Sequence, residues 1–123
     1  MTTQVLICDD SGFARRQMAR SIPDGWDVDI AFAENGQQAI DLIREGKGDV
    51  LFLDLNMPVM DGYAATREIR KLMPEIPIIG MTANAMDDDK MACLAAGMND
   101  HIAKPIDPES LIRCVQDVVN RCG

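Results

Sequence analysis

The chain alternates between two hydrophobic patterns, and this alternation occurs five times. Short apolar runs predict strands, while segments with apolar residues every three or four positions predict helices. The predicted strands are Val5–Cys8, Val28–Ala33, Val50–Leu53, Ile76–Met81 and His101–Ala103. The predicted helices are Phe13–Ile22, Gln37–Glu45, Tyr63–Leu72, Asp87–Ala96 and Pro108–Arg121. Strands that alternate with helices throughout the chain predict an α/β fold.

The first, third and fourth predicted strands are apolar on consecutive residues. This pattern is typical of strands in a parallel sheet, where helices cover both faces. Because each helix then joins two parallel strands by a right-handed crossover, the alternation predicts a doubly wound sheet. Functional sites in such folds form beyond the carboxyl ends of the strands, so those ends are where chemistry is expected.

Residues able to carry chemistry follow four of the five strands. Asp9 and Asp10 follow the first strand, Asp54 the third, Thr82 the fourth and Lys104 the fifth. Each has an ordinary explanation when taken alone, since acidic pairs cap helices and lysines are common surface charges. Their joint occurrence at one edge of the predicted sheet favours a shared site.

The charges of these side chains suggest what that site does. Three carboxylates in one shallow cleft repel one another, and a bound divalent cation removes this cost. Mg²⁺, or Mn²⁺ in its place, suits oxygen ligands and binds alongside phosphate groups. With the cation and Lys104 beside it, Asp54 is a suitable nucleophile for phosphorus, and its attack forms an aspartyl phosphate. The Thr82 hydroxyl, one strand away, is placed to donate a hydrogen bond to a phosphoryl oxygen.

These residues make the chain similar to the receiver domains of two-component response regulators, the family that includes the chemotaxis regulator. The resemblance covers essentially the whole chain, with its features in family order and spacing. It rests on Asp9-Asp10, Asp54 within Leu-Asp-Leu-Asn-Met-Pro, Asp61-Gly62, Thr82-Ala83 and Lys104-Pro105. It implies a flavodoxin-like (βα)5 fold, with a five-stranded parallel sheet in the order 2-1-3-4-5 and helices on both faces. Residues 1–123 are then expected to form a single receiver domain.

The resemblance also implies a role for each of the acidic residues. Asp54 is the expected phosphoacceptor. Asp9, Asp10 and Asp54 are expected to hold Mg²⁺ together with the backbone carbonyl of Asn56.

Three further positions take roles from the same resemblance. Thr82 is the expected switch hydroxyl, and Lys104 is the expected cation on the phosphoryl group. The peptide between Lys104 and Pro105 is expected to be cis, a rare state that would aim the lysine into the cleft.

One position departs from the family pattern. The second switch residue, three before the lysine, is usually Tyr or Phe in the family, and here it is His101, the only histidine. It is either a partly exposed imidazole without a special role or a rotameric switch whose inward state protonation disfavours. The second hypothesis predicts an activation equilibrium that depends on pH between about 5.5 and 7.5.

Two asparagines also leave alternatives open. Asn56 and Asn84 lie two residues after Asp54 and Thr82. The resemblance suggests that they tune autodephosphorylation, whereas their residue type alone is typical of turns.

The resemblance implies a histidine kinase or a histidine phosphotransfer domain as the phosphoryl donor. An output domain, a target protein or a second copy is expected on the face made by the fourth helix, fifth strand and fifth helix. The domain is expected to catalyse only its own phosphorylation and dephosphorylation, and not to act as an enzyme on other substrates.

The segment from Met81 to Met98 is similar to receivers embedded in hybrid sensor kinases. Met1, just before the first strand, predicts an N-terminal or free-standing receiver in the cytoplasm.

Composition and missing motifs argue against other classes. The net charge of −8 disfavours direct nucleic-acid binding, and no apolar run approaches the roughly 20 residues of a membrane span. Nucleotide-binding glycine motifs are absent. A haloacid-dehalogenase-type phosphatase needs a second Asp where Asn56 stands, and a flavodoxin-like cofactor site would not place Asp9-Asp10 in its phosphate loop. The four cysteines lack metal-ligand spacing, which predicts reduced thiols. The remaining alternative is a receiver-shaped interaction module that works without phosphorylation.

Overall fold

The computed structural model describes residues 3–22, 25–55, 60–82, 87–103 and 108–122. The strands are β1 (Thr3–Cys8), β2 (Val28–Ala33), β3 (Val50–Asp54), β4 (Ile78–Thr82) and β5 (Asp100–Ala103). The helices are α1 (Gly12–Ser21), α2 (Gly36–Arg44), α3 (Gly62–Leu72), α4 (Asp87–Ala96) and α5 (Pro108–Cys122). The predicted alternation of strands and helices is therefore confirmed.

The strands form one parallel sheet in the order β2-β1-β3-β4-β5, as predicted. The chain first moves outward from β1 to β2 and then crosses back to β3, so the winding direction reverses between β1 and β3. In doubly wound sheets a crevice opens at such a point, beyond the carboxyl ends of the strands. Cys8 of β1 lies beside Leu53 of β3, and the residues that follow them are Asp9 and Asp54. The register thus brings these two carboxylates to the same level of the sheet.

Side chains of the central strands alternate between two buried layers, because successive residues of a strand point to opposite faces. The layer beneath α1 and α5 contains Val5, Ile7, Val50, Phe52, Met18, Leu111 and Val115. The layer beneath α2, α3 and α4 contains Leu6, Leu51, Leu53, Ile40, Ile43, Ala65, Ile69 and Cys93. Burying each large aliphatic or aromatic side chain contributes about 1.5–3 kcal/mol. Helices on both faces explain why β1 and β3 are apolar on consecutive residues.

The prediction for β4 was wrong at its start. The strand begins at Ile78 and not at Ile76. Pro77 has no N–H to contribute to the sheet, although its carbonyl accepts a hydrogen bond from the backbone N–H of Leu51 at 2.9 Å. Ile76 is 4% exposed, so it belongs to the core without belonging to the strand.

The sulfur-containing side chains of the described residues differ in burial. Cys8 and Cys93 are buried and Cys114 is half-buried, all three as free thiols. Met18, Met81 and Met98 fill the core, whereas Met91 on α4 is 69% exposed.

Gly62 begins α3 directly against the end of β3. A Cβ atom at this position would lie 2.6 Å from the carbonyl oxygen of Asp54 and 2.9 Å from Cα of Leu55. The Gly62 N–H donates to the carbonyl of Leu55 at 3.1 Å, and the Asp61 side chain caps the helix by accepting from the Ala64 N–H at 2.8 Å. Both atoms that a Cβ would meet belong to the backbone, so only glycine permits this approach.

Replacing Gly62 with alanine is expected to lower the free energy of unfolding by about 1–3 kcal/mol, because the backbone of β3 must shift. The urea midpoint measures this loss. Gly48→Ala is the matched control, since a Cβ there meets nothing closer than 3.4 Å, and its effect should be under about 1 kcal/mol. Equal effects of the two substitutions would show that the contact with β3 is not the cause.

Candidate functional site

Three carboxylates converge at the carboxyl edge of the sheet. Asp9, Asp10 and Asp54 each offer an oxygen, and these oxygens all lie within 4.8 Å of one another. Asp9 is fully buried and Asp54 is 5% exposed, whereas Asp10 is exposed. The cluster therefore has a buried floor and one side open to solvent.

Local hydrogen bonds hold the turn that carries Asp9. Its Oδ1 accepts from the Ser11 N–H at 2.9 Å, and its own N–H donates to the carbonyl of Ala33 at 3.1 Å. Ser11 caps α1 by accepting from the Ala14 N–H at 3.3 Å. Arg15 on α1 donates from Nη1 to the Asp9 carbonyl oxygen at 2.6 Å. The turn is thus tied to β2 on one side and to α1 on the other.

The chemistry of these ligand atoms fits a divalent cation. Carboxylate oxygens are the ligands that Mg²⁺ prefers in proteins. Negative charges this close repel one another, and a cation held by all three carboxylates removes that repulsion. Asp9, Asp10 and Asp54 would hold the ion, which would supply charge neutralisation to a phosphoryl group at the open side of the cluster.

Thr82 lies one strand away from Asp54 at the same edge. Asp54 pairs with Met81 of β4, and Thr82 is the next residue. It is 4% exposed, and it pairs with Ala103 of β5. The sheet therefore places Thr82 beside the strand that carries Asp54.

His101 lies on β5, where it pairs with Gly80. The side chain is only 14% exposed, and Nδ1 lies 3.9 Å from Oδ1 of Asp100. Within the described residues, this buried nitrogen has no hydrogen-bond partner. The imidazole is thus mostly buried with an unsatisfied polar atom.

Several predicted positions lie outside the described residues. They are Asn56, Asn84, Lys104 and Pro105, together with the predicted cis peptide between the last two. Their roles stay predictions.

Two residues at this edge were missed by the sequence analysis as parts of the site. Cys8 lies beneath the cluster and donates its thiol hydrogen to the carbonyl of Asn35 at 3.2 Å. Burial and, to a smaller extent, the negative charges of Asp54 and Asp9 together raise the pKa of the Cys8 thiol to about 12, although Arg15 acts to lower it. The thiol is therefore protonated at neutral pH. Arg15 itself, with Arg16 beside it, gave no signal in the sequence beyond an ordinary helix cation.

Comparison with known proteins settles the family. The sequence matches the response regulator receiver domain over residues 5–116. The chain belongs to the response regulator receiver domain family. This receiver domain is 35% identical to the sensor histidine kinase RcsC of Escherichia coli K12 over 102 residues, which is 83% of the chain and 11% of RcsC. It is 31% identical to the response regulator MprA of Mycobacterium bovis over 122 residues, which is 98% of the chain and 52% of MprA.

A solved structure agrees with this assignment. In a co-crystal structure from Saccharomyces cerevisiae, the receiver domain of the response regulator Ssk1 is bound to the histidine phosphotransfer protein Ypd1. The match has a TM-score of 0.87 at 25% identity and covers 94% of this chain and 88% of that chain. The curated relatives are longer, since the receiver domain spans about half of MprA and about a tenth of RcsC. None of the described helices is long and apolar enough to cross a membrane.

Replacing Asp10 with asparagine is expected to have opposite effects with and without metal. In EDTA, relief of repulsion should raise the melting temperature by roughly 2–4 °C, under about 1 kcal/mol for a domain of this size. Addition of Mg²⁺ should then stabilise the variant much less than the wild type, because a ligand is lost. Thermal unfolding followed by circular dichroism measures both effects.

Asp117→Asn is the matched control, because it removes an exposed carboxylate from α5, away from the cluster. It should leave the response to Mg²⁺ unchanged. Equal stabilisation of Asp10→Asn and wild type by Mg²⁺ would contradict a cation site that includes Asp10.

Proposed function

We propose that this receiver domain accepts a phosphoryl group on Asp54 and uses it to control an output domain or a partner protein. The donor is the phosphohistidine of a histidine kinase or a histidine phosphotransfer protein. The observation that carries the proposal is the convergence of three carboxylate oxygens within 4.8 Å at the sheet edge of a chain in this family. The Ssk1 receiver domain bound to a histidine phosphotransfer protein supports the same class of donor.

The transfer is a displacement at phosphorus. A carboxylate oxygen of Asp54 attacks in line with the bond between phosphorus and the donor imidazole nitrogen. The new P–O bond forms as the P–N bond breaks, and the electron pair leaves with the imidazole. Asp54 becomes a mixed anhydride, whose hydrolysis by water later restores the carboxylate.

Positioning and charge neutralisation are most of what phosphoryl transfer requires from a protein. A bound Mg²⁺ supplies positive charge to the phosphoryl oxygens. Asp9 and Asp10 would hold the ion beside Asp54, and Lys104, which follows β5 in the sequence, would add a second positive charge. The exposed position of Asp10 marks the side from which a macromolecular donor approaches.

The signal leaves the site through β4 and β5. Thr82 turns its hydroxyl toward the phosphoryl oxygen, and the space that it vacates admits the His101 side chain. The partner face is made by α4, β5 and α5. Met91 and Leu94 on α4 are 69% and 51% exposed, which gives this face apolar side chains for a partner or a second copy to cover.

Incubation with Mg²⁺ and acetyl phosphate tests the phosphoacceptor. Intact mass spectrometry should show the gain of one phosphoryl group by the wild type and no gain in EDTA or in Asp54→Asn. A gain that persists in Asp54→Asn would place the chemistry elsewhere. If the folded wild type gains no phosphoryl group, the proposal fails. The alternative, a receiver-shaped interaction module that works without phosphorylation, would then remain.

The role of His101 is tested by measuring how the fraction of activated protein depends on pH. An imidazolium is costlier to bury than a neutral ring, so loss of the ring proton should favour the inward state. In excess acetyl phosphate and Mg²⁺, the fraction of activated protein should rise with pH in wild type but not in His101→Phe. Amide NMR signals of α4 and β5 measure that fraction, and intact mass at each pH corrects for the extent of phosphorylation. Identical pH profiles would exclude a switch at His101.

A further inference from the structure

Arg15 contacts both loops that flank the acidic cluster. Its Nη1 donates to the carbonyl oxygen of Asp9 at 2.6 Å. Its Nη2 lies 3.7 Å from Oε1 of Glu34, the residue that follows β2. The Arg15 side chain is 16% exposed, whereas that of Glu34 is 66% exposed. A largely buried cation from α1 thus bridges the turn after β1 and the loop after β2.

We propose that Arg15 is a positioning residue for the cation site, an inference that rests on the proposed function. The carbonyl that it binds belongs to the peptide between Asp9 and Asp10. Because a peptide unit is planar, holding its oxygen also fixes the nitrogen from which Asp10 begins. Arg15 therefore orients the backbone so that both carboxylates face the same ion.

The two neighbouring carboxylates depend on this contact to different degrees. The side chain of Asp9 is held separately by the Ser11 N–H at 2.9 Å, and Asp9 is fully buried. Asp10 is exposed, so the core does not confine its side chain as it confines that of Asp9. The direction in which Asp10 points is set mainly by the peptide that Arg15 holds.

The bond to Asp9 matters more than the ion pair with Glu34. Ion pairs with a well-solvated partner are worth little, and Glu34 is two-thirds exposed. The planar guanidinium places one nitrogen on the Asp9 carbonyl and the other near Glu34, which the single ammonium of a lysine cannot do. The hydrogen bond to Asp9 is therefore the contact on which the positioning depends.

The two possible roles of Arg15, as a charge and as a positioning group, predict opposite changes in Mg²⁺ affinity when the residue is replaced. The inference can therefore be tested. The charge of Arg15 acts at this edge of the sheet, since its Nη1 lies 2.6 Å from the carbonyl oxygen of Asp9. A cation so close repels Mg²⁺, so its removal would tighten metal binding if electrostatics were its only effect. Loss of positioning weakens metal binding. The sign of the change therefore separates the two roles.

The experiment measures the Mg²⁺ dissociation constant of the unphosphorylated protein by isothermal titration calorimetry. Arg15→Met should weaken binding by about tenfold, as expected when a group that orients metal ligands is lost. Arg15→Lys should recover part of the affinity, because the ammonium retains one donor. Arg16→Met is the matched control, since Arg16 is the exposed neighbour on α1, and it should change the affinity by less than about twofold.

Each outcome supports or overturns the inference. Binding by Arg15→Met that equals or exceeds that of wild type overturns it, as does an equal loss in Arg16→Met. If Arg15→Met fails to fold, Arg15→Lys decides, with a loss of about threefold expected and unchanged affinity contradicting it. If wild type binds no Mg²⁺, the proposed function fails and this inference fails with it. If wild type binds and Arg15→Met matches it, only the inference fails.

Discussion

The repulsion among Asp9, Asp10 and Asp54 is the constraint around which this edge of the molecule is organised. The parallel register that sets Cys8 beside Leu53 brings Asp9 and Asp54 to one level, and the core does not let them separate. Asp9 is fully buried, so water cannot stabilise its charge and neighbouring groups must do so. The N–H of Ser11 stabilises part of this charge by donating a hydrogen bond to Oδ1 of Asp9. A cation bound by all three carboxylates would stabilise the rest, and this would link the fold to the proposed phosphoryl transfer.

The rigidity of the scaffold is what makes this arrangement useful. Two buried layers hold β1 and β3 from both faces, so Asp9 and Asp54 are kept at one level of the sheet. Gly62 lets α3 begin in contact with the backbone of Asp54, which adds a further support beneath the same residue. Sites on strand ends supported in this way keep their geometry better than sites on loops. Thr82 lies on β4 and His101 on β5, the next two strands of the sheet after β3.

The α/β fold could be predicted from the sequence because burial on both faces produces short runs of consecutive apolar residues, and these runs alternate with segments of helical periodicity. Asp9, Asp10 and Asp54 could be predicted as a cluster because strand ends of a parallel sheet share an edge. The start of β4 was predicted two residues too early because Ile76 is apolar. An apolar residue can be buried without belonging to a strand, as Ile76 is. Arg15 could not be predicted, since its partner is the carbonyl of Asp9, and every residue has a carbonyl. The partners could likewise not be predicted, and this stretch spans about a tenth of RcsC and about half of MprA.

The central claim is that Asp54 accepts a phosphoryl group beside a cation held by Asp9 and Asp10. A crystal structure with Mg²⁺ and beryllium fluoride, a stable mimic of the phosphoryl group, tests it most directly. The account predicts a beryllium fluoride adduct on the Asp54 carboxylate, a cation contacting oxygens of Asp9, Asp10 and Asp54, and the Thr82 hydroxyl turned toward the adduct. An adduct on another side chain, or a cation that does not touch these three carboxylates, would contradict it.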